Sequence, residues 1–232
     1  MSETQLAPKI VPRFQDELDQ LRARLLVMAG QAEEQVRCAI RALVEHDGDL
    51  AERVFMGDQA INALDLEIDE RCFKLLALHQ PVATDLRVIV SGVKINRDLE
   101  RIGDFAVNIA EAALRYMEHP PVKRLIDIPR MADLAQGMLR DALNSYVSLD
   151  TQLAAEVIER DDALDGIKGQ VFRELLSYIV GNPATTEPAL DLILISRHLE
   201  RIGDHATNIA EEVIFIASGQ AVRHHVREGT SD

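Results

Sequence analysis

The chain of 232 residues has no tryptophan, three tyrosines, six phenylalanines and two cysteines. So small an aromatic share, with strand-forming residues that are not set in alternating runs, argues against a β architecture and for helices. Cys38 and Cys72 stand alone, without C-x-x-C spacing, and a chain of this length needs no disulfide staples. A reducing cytosol is the compartment expected. No run of about 18 apolar residues occurs, so the chain does not cross a membrane by itself. The first residues, Met-Ser-Glu-Thr-Gln-Leu-Ala-Pro, lack the basic region and apolar run of a secretory signal. Basic clusters interleaved with aromatics are missing too, and a formal net charge of −14 repels polyanions, which argues against direct DNA or RNA binding. The same charge suits metal cations or a basic protein surface. With no glycine-rich phosphate loop and no nucleophile set beside a base, no catalytic residue is assigned and no enzymatic activity is expected.

What the sequence does contain is a repeat. Residues 97–111 and 197–211 agree at twelve of fifteen positions, and Leu50-Ala51-Glu52-Arg53-Val54 matches Leu153-Ala154-Ala155-Glu156-Val157 at an offset of 103. Two similar units follow, with three residues lost between the second and third helices of the second one. All eight prolines sit where helices begin or are absent, Pro8 and Pro12 being placed ahead of the first helix. Between them the pattern predicts six long helices at 13–46, 49–78, 82–118, 128–148, 150–180 and 186–218. The expected fold is all-α: two tandem, pseudo-symmetric antiparallel three-helix bundles, one over 13–118 and one over 128–218, joined by a linker at 119–127 and flanked by flexible tails at 1–12 and 219–232.

The third helix of each unit carries two patterns. Gly92, Ile95, Leu99, Ile102, Ala106, Ile109 and Ala113 follow 3,4 spacing, as do Leu192, Ile195, Leu199, Ile202, Ala206, Ile209 and Val213, and this is a bundle seam. At 100° per residue, Glu100, Asp104, Asn108 and Glu111 fall on another face, with Glu200, Asp204, Asn208 and Glu211 as their copies. An exposed helix face is usually steadied by acid followed four residues later by base, whereas like charges at that spacing cost a few tenths of a kcal/mol. Here like charges recur at that spacing in both copies, Arg97 with Arg101 and Arg197 with Arg201 included. Surface ion pairing is the role expected of Arg101 and Arg201. Gly103 and Gly203, mid-helix at a cost of about 1 kcal/mol each, are expected to allow tight helix packing.

In an antiparallel hairpin, residues at one level have a constant sum of sequence numbers. Turns near 81 and 183 then place Asp58 level with Asp104 and Asn62 with Glu100, both pairs totalling 162, and Asp161 level with Asp204 and Asp165 with Glu200, both totalling 365. Three or four carboxylates at one height repel unless protonated or bridged by a cation, and a cation is the simpler answer. Oxygen ligands favour hard ions such as Mg²⁺, Ca²⁺, Mn²⁺ or iron. His205 leaves room for a softer ion, although a surface role is expected of it. With Asn62 standing where the second copy has Asp165, the first site is expected to be the weaker.

Two copies of Leu-Glu-Arg-Ile-Gly-Asp-x-Ala-x-Asn-Ile-Ala, the segment Gln80-Pro81-Val82-Ala83-Thr84-Asp85-Leu86-Arg87 and six helices in two units together resemble the PhoU family, over about residues 13–218. The resemblance implies a cytoplasmic, non-enzymatic negative regulator of the phosphate-starvation response and of phosphate uptake. It would work as an adaptor between the ATPase subunit of the phosphate ABC transporter and a sensor histidine kinase, reach the membrane only through these partners, and form a homodimer. It also implies bound metal ions (Mg, Mn, Fe or Zn) at the Glu/Asp-x-x-x-Asp motif, here Glu100 with Asp104 and Glu200 with Asp204. The level rule adds Asp58, Asn62, Asp161 and Asp165. The second copy lacks the Gln-Pro-Val-Ala-Thr-Asp-Leu-Arg opening, which argues against interchangeable partner surfaces. Two other readings stay open: a di-metal oxidase, disfavoured because no histidine has glutamate three residues before it, and an adaptor whose acids bind no metal.

Overall fold

The computed structural model describes residues 10–221, with side chains from Phe14 onward. The chain runs α1 (Ile10–Glu45), α2 (Gly48–His79), α3 (Ala83–Met117), α4 (Asp127–Ser148), α5 (Thr151–Gly181), a 3-10 turn (Pro183–Thr185) and α6 (Thr186–Ser218), with no strand among the described residues. All six helices lie within three residues of the predicted bounds. Helix α1 starts at Ile10, ahead of the expected 13, so Pro12 sits in its first turn and not before it. That position is tolerated because the first backbone N–H groups of a helix have no intrahelical partner to lose. Of the tails expected at 1–12 and 219–232, residues 1–9 and 222–232 lie outside the described residues.

The α1–α2 and α4–α5 boundaries are one device used twice. His46 and Leu149 adopt left-handed backbone (φ 55° and 53°) and are followed by Asp47 and Asp150. Each aspartate caps the next helix, Asp47 Oδ1 accepting from the N–H groups of Asp49 (3.0 Å) and Leu50 (3.3 Å), and Asp150 Oδ1 from Gln152 (3.0 Å) and Leu153 (3.1 Å). A cap of this kind contributes about 1 kcal/mol and fixes where α2 and α5 begin.

Within each repeat every helix touches the other two, and the repeats meet through α3 against α6 and α1 against α4, leaving α2 and α5 on the outside. The seam residues Ile95, Leu99, Ile102, Ala106 and Ile109, with Ile195, Leu199, Ile202, Ala206 and Ile209, are fully buried. Truncating one, Leu99→Ala for example, is a loss of about 2–5 kcal/mol. The motif glycines are spacers, as expected. A Cβ on Gly103 would lie 3.0 Å from Ile61 Cδ1, and one on Gly203 would strike Leu164 Cδ2, so at each glycine the preceding helix packs close.

Polar pairs also tie the repeats together. Asp98 Oδ1 bonds His205 Nδ1 (2.7 Å) and accepts from Asn208 (3.2 Å), while Arg115 pairs with Asp191 (2.9 Å). Glu212 accepts from Ser91 (2.7 Å) and Lys94 (2.7 Å). Arg87, from the proline-opened segment, donates to the Ile216 carbonyl (3.1 Å), anchoring the start of α3 to the end of α6. His205 is therefore an inter-repeat residue, not the surface histidine expected.

Candidate functional site

The antiparallel level rule holds. Asn96 on α3 donates to Asp65 Oδ1 (2.7 Å) and Asp69 Oδ1 (3.2 Å) on α2, numbers that total 161 and 165 and so bracket the expected 162. In the second repeat, Asp161 Oδ1 lies 3.5 Å from where a Cβ on Gly203 would be, next to Asp204. The faces of α2 and α3, and of α5 and α6, thus present acids to one another at the height of the motif.

The first repeat leaves its acids poorly satisfied. Glu100 has a side chain only 16% exposed, with Arg97 Nη1 at 3.4 Å and Arg101 Nε at 3.7 Å. Its Oε2 is buried and accepts no hydrogen bond. Burial, then the charges of Asp104 and, more weakly, Asp65, hold its carboxyl above the usual glutamate value. Asp65 is raised as well, by burial and by Asp69. Asp104 is bonded by Arg101 Nη1 (2.9 Å). Asp58 accepts from Asn62 (2.8 Å), Asn62 is exposed, and neither bonds Glu100 or Asp104. The Oδ1 of fully buried Asn96 also lacks a partner.

The second repeat solves the same problem with its own cation. Lys168 Nζ donates to Glu200 Oε1 (2.9 Å) and stands 3.6 Å from Asp165 Oδ1, and the bond to Glu200 raises the lysine pKa. Arg201 pairs with Asp204 (3.0 Å), repeating the arrangement at Arg101. At the offset of 103, Lys168 corresponds to Asp65, so the two repeats carry opposite charges at the centre of the site.

These contacts correct two steps of the sequence argument. The arginines at i+1 and i−3 supply part of the neutralisation that had been assigned wholly to a cation. The acid count drawn from Asn62 was also incomplete: the first stripe holds five carboxylates, Asp58, Asp65, Asp69, Glu100 and Asp104, and the second holds four, Asp161, Asp165, Glu200 and Asp204, together with Lys168. Asp65, Asp69, Asn96 and Lys168 were missed. The signal was available, because Asp58, Asn62, Asp65 and Asp69 are spaced 4, 3 and 4 along one helical face, and Asp161, Asp165 and Lys168 follow the same course. Among the described residues, no group of three or more His, Cys, Asp or Glu side chains is arranged to hold a metal ion. The repeats differ in charge: the first sets Asp65 and Asp69 across from Glu100, whose Oε2 has arginines near it but no hydrogen bond, and the second sets Lys168 across from Glu200.

A protein of two repeated three-helix units, each setting an acidic and arginine-rich stripe of its third helix against its second, is the class that fold and site define. The chain belongs to the PhoU family, whose PhoU domain matches residues 25–113 and 128–213. It is 43% identical over 211 residues to a phosphate-specific transport system accessory protein PhoU homolog of Caulobacter vibrioides, covering 90% of this chain and 92% of that one. The Aquifex aeolicus homolog of the same description is 40% identical over 213 residues, 91% of this chain and 96% of its own. Among solved structures, PhoU from Pseudomonas aeruginosa superposes with a TM-score of 0.87 at 39% identity, covering 89% of this chain and all of that one. The phosphate transport system regulatory protein PhoU from Streptococcus pneumoniae gives 0.84 at 28% identity, covering 90% and 99%.

Proposed function

We propose that this protein is a cytoplasmic, non-enzymatic negative regulator of the phosphate-starvation response and of phosphate uptake, working as an adaptor between the ATPase subunit of the phosphate ABC transporter and the sensor histidine kinase of the phosphate two-component system. The observation that carries this is near-full-length similarity to proteins named as accessory to a phosphate-specific transport system. It is supported by the absence of any helix long and apolar enough to cross a membrane among the described residues. Contact with the membrane is then through partners, and the working unit is a homodimer. Deleting the gene should make phosphate-starvation genes constitutive in high phosphate. Normal repression in the deletion strain would overturn the reading.

Metal binding belongs to the same reading and falls on the first repeat. Glu100 and Asp104, with Asp65, Asp69 and Asn96 opposite, would hold a hard ion such as Mg²⁺, Mn²⁺ or iron, and Asp58 with Asn62 would line the same stripe. The ion would relieve the crowding that raises Glu100 and Asp65. In the second repeat Lys168 favours the alternative reading of a metal-free adaptor surface at Glu200, Asp204, Asp161 and Asp165. Elemental analysis of the purified protein and of Glu100→Ala/Asp104→Ala separates the two. Metal lost with the first motif fits the proposal, and a protein that takes up no metal fits the alternative throughout.

A further inference from the structure

Between α5 and α6 of the second repeat lies a pocket of about 340 Å³. Three cations line it, Lys168, Arg197 and Arg201, against the single carboxylate of Glu200, and Phe172 and Ile193 give it an apolar wall. In a chain of net charge −14, the pocket thus holds a local excess of two positive charges. The equivalent positions of the first repeat set Arg97 and Arg101 against Asp65, Asp69 and Glu100, an excess of one negative charge. Duplication has inverted the sign of the site, with Lys168 standing for Asp65 and Phe172 for Asp69.

The exchange also frees donors. In the first repeat Arg97 Nη1 stands 3.4 Å from Glu100. In the second, Lys168 takes that carboxylate (2.9 Å), and Arg197 is left exposed with no ion pair among the described residues. Arg201 gives Nη1 to Asp204 (3.0 Å), and its Nε, 3.7 Å from Glu200, is beyond hydrogen-bond reach. Asp165, at 3.6 Å, is likewise too far to take a second hydrogen of Lys168. An ammonium has three N–H donors and a guanidinium five, so most of the donors on this wall are given to water.

We propose that this pocket binds a small phosphate monoester, its dianion on Lys168, Arg197 and Arg201 and its organic group against Phe172 and Ile193. A monoester carries close to two negative charges at neutral pH and three strong acceptor oxygens. These match the two excess positive charges and the three donor groups of the wall. A carboxylate brings one charge and two oxygens, and so leaves one cation unanswered. The pocket is larger than a bare phosphate needs and falls at the lower end of the range of small-molecule sites, about 300–1,000 Å³. The half-exposed ring of Phe172 is the surface that the organic group would cover.

Calorimetric titration of the full chain with phenyl phosphate, inorganic phosphate and benzoate tests this. The protein is first treated with chelator, so that no ion in the first repeat can itself hold phosphate. Phenyl phosphate should bind, and benzoate at least about tenfold more weakly for want of the second charge. Inorganic phosphate should also bind more weakly than phenyl phosphate, a difference that Phe172→Ala should narrow. Arg197→Gln should lower the affinity for phenyl phosphate at least about tenfold, yet melt with the wild type, since the side chain it replaces is exposed and unpaired. Arg97→Gln, the same change in the first repeat, should leave that affinity unchanged. No binding of phenyl phosphate at millimolar concentration, equal affinity for benzoate or inorganic phosphate, wild-type affinity in Arg197→Gln, or an equal loss in Arg97→Gln would each overturn the proposal. The titration uses neither phosphate-starvation genes nor bound metal, so its outcome is separate from that of the regulatory reading.

Discussion

The two repeats share a seam and differ at the site it carries. Leu99, Ile102, Ala106 and Ile109 are copied residue for residue in Leu199, Ile202, Ala206 and Ile209 and are equally buried. Opposite that seam the first repeat places Asp65 and the second Lys168. One exchange turns an over-acidic stripe, in which a buried Glu100 oxygen accepts no hydrogen bond, into one closed by a lysine, so duplication has preserved packing and let electrostatics diverge. The difference also shows how little a shared motif guarantees, since Glu-Arg-Ile-Gly-Asp is identical in both copies and its surroundings are not.

Exchanging the central charge should have the largest effect. In Asp65→Lys an ammonium would take the place proposed for the metal, and the thermal stabilisation by Mn²⁺ should disappear. At about a hundredfold excess over Kd that stabilisation is about 2.7 kcal/mol, or roughly 5–10 °C in Tm for a chain of this size. A Mn²⁺ response that survives this change would break the comparison. Smaller is the cost of Lys168→Ala in metal-free protein, about 1 kcal/mol, discounted because the lysine is about one third exposed. Chemical denaturation would measure it, and Mn²⁺ should now restore part of the loss by entering the vacated repeat.

Metal-free Glu100→Gln sharpens the same contrast from the other side. A carboxyl whose folded pKa is raised holds its proton more tightly when folded, so it favours folding below its unfolded value of 4.5 and loses that contribution as pH rises through the folded value. The glutamine variant should therefore be more stable than wild type at neutral pH by about 1 kcal/mol, with no gain at pH 4, as judged by melting across that range. The least effect is expected at His198, lowered by burial, with Arg197 and Arg115 adding to the shift. A base with a depressed folded pKa contributes stability above its unfolded value of 6.5 and loses it as pH falls below that. His198→Leu should flatten the acid side of the stability profile by about 0.5 kcal/mol.

Much of this was legible in the sequence. Periodicity located all six helices, and the internal repeat defined the two units, because the 3,4 spacing of apolar residues is what the core needs. The level rule found the right height on α2 and α5, since an antiparallel hairpin leaves register almost no freedom once its turn is placed. It named Asp58 and Asn62 and stopped short of Asp65 and Asp69, one and two helical turns further on, because a sum of sequence numbers gives height but not which side chains lean inward. Lys168 was not legible as part of the site because the spacing of the acids carries no signal for the base that answers them.

The inter-repeat contact at Asp98 sets a direction on the molecule. Residue 98 of α3 meets residue 205 of α6, while the pseudo-equivalent contact sets His198 against the ring of Phe105, with centroids 5.7 Å apart. A protein made of the first repeat twice would face Asp98 with phenylalanine at both crossings, and one made of the second repeat twice would stack histidine on histidine. Neither homogeneous tandem reproduces the acid–imidazole bond. The halves are complementary parts that recognise each other, and their order along the chain ensures that every molecule contains one of each.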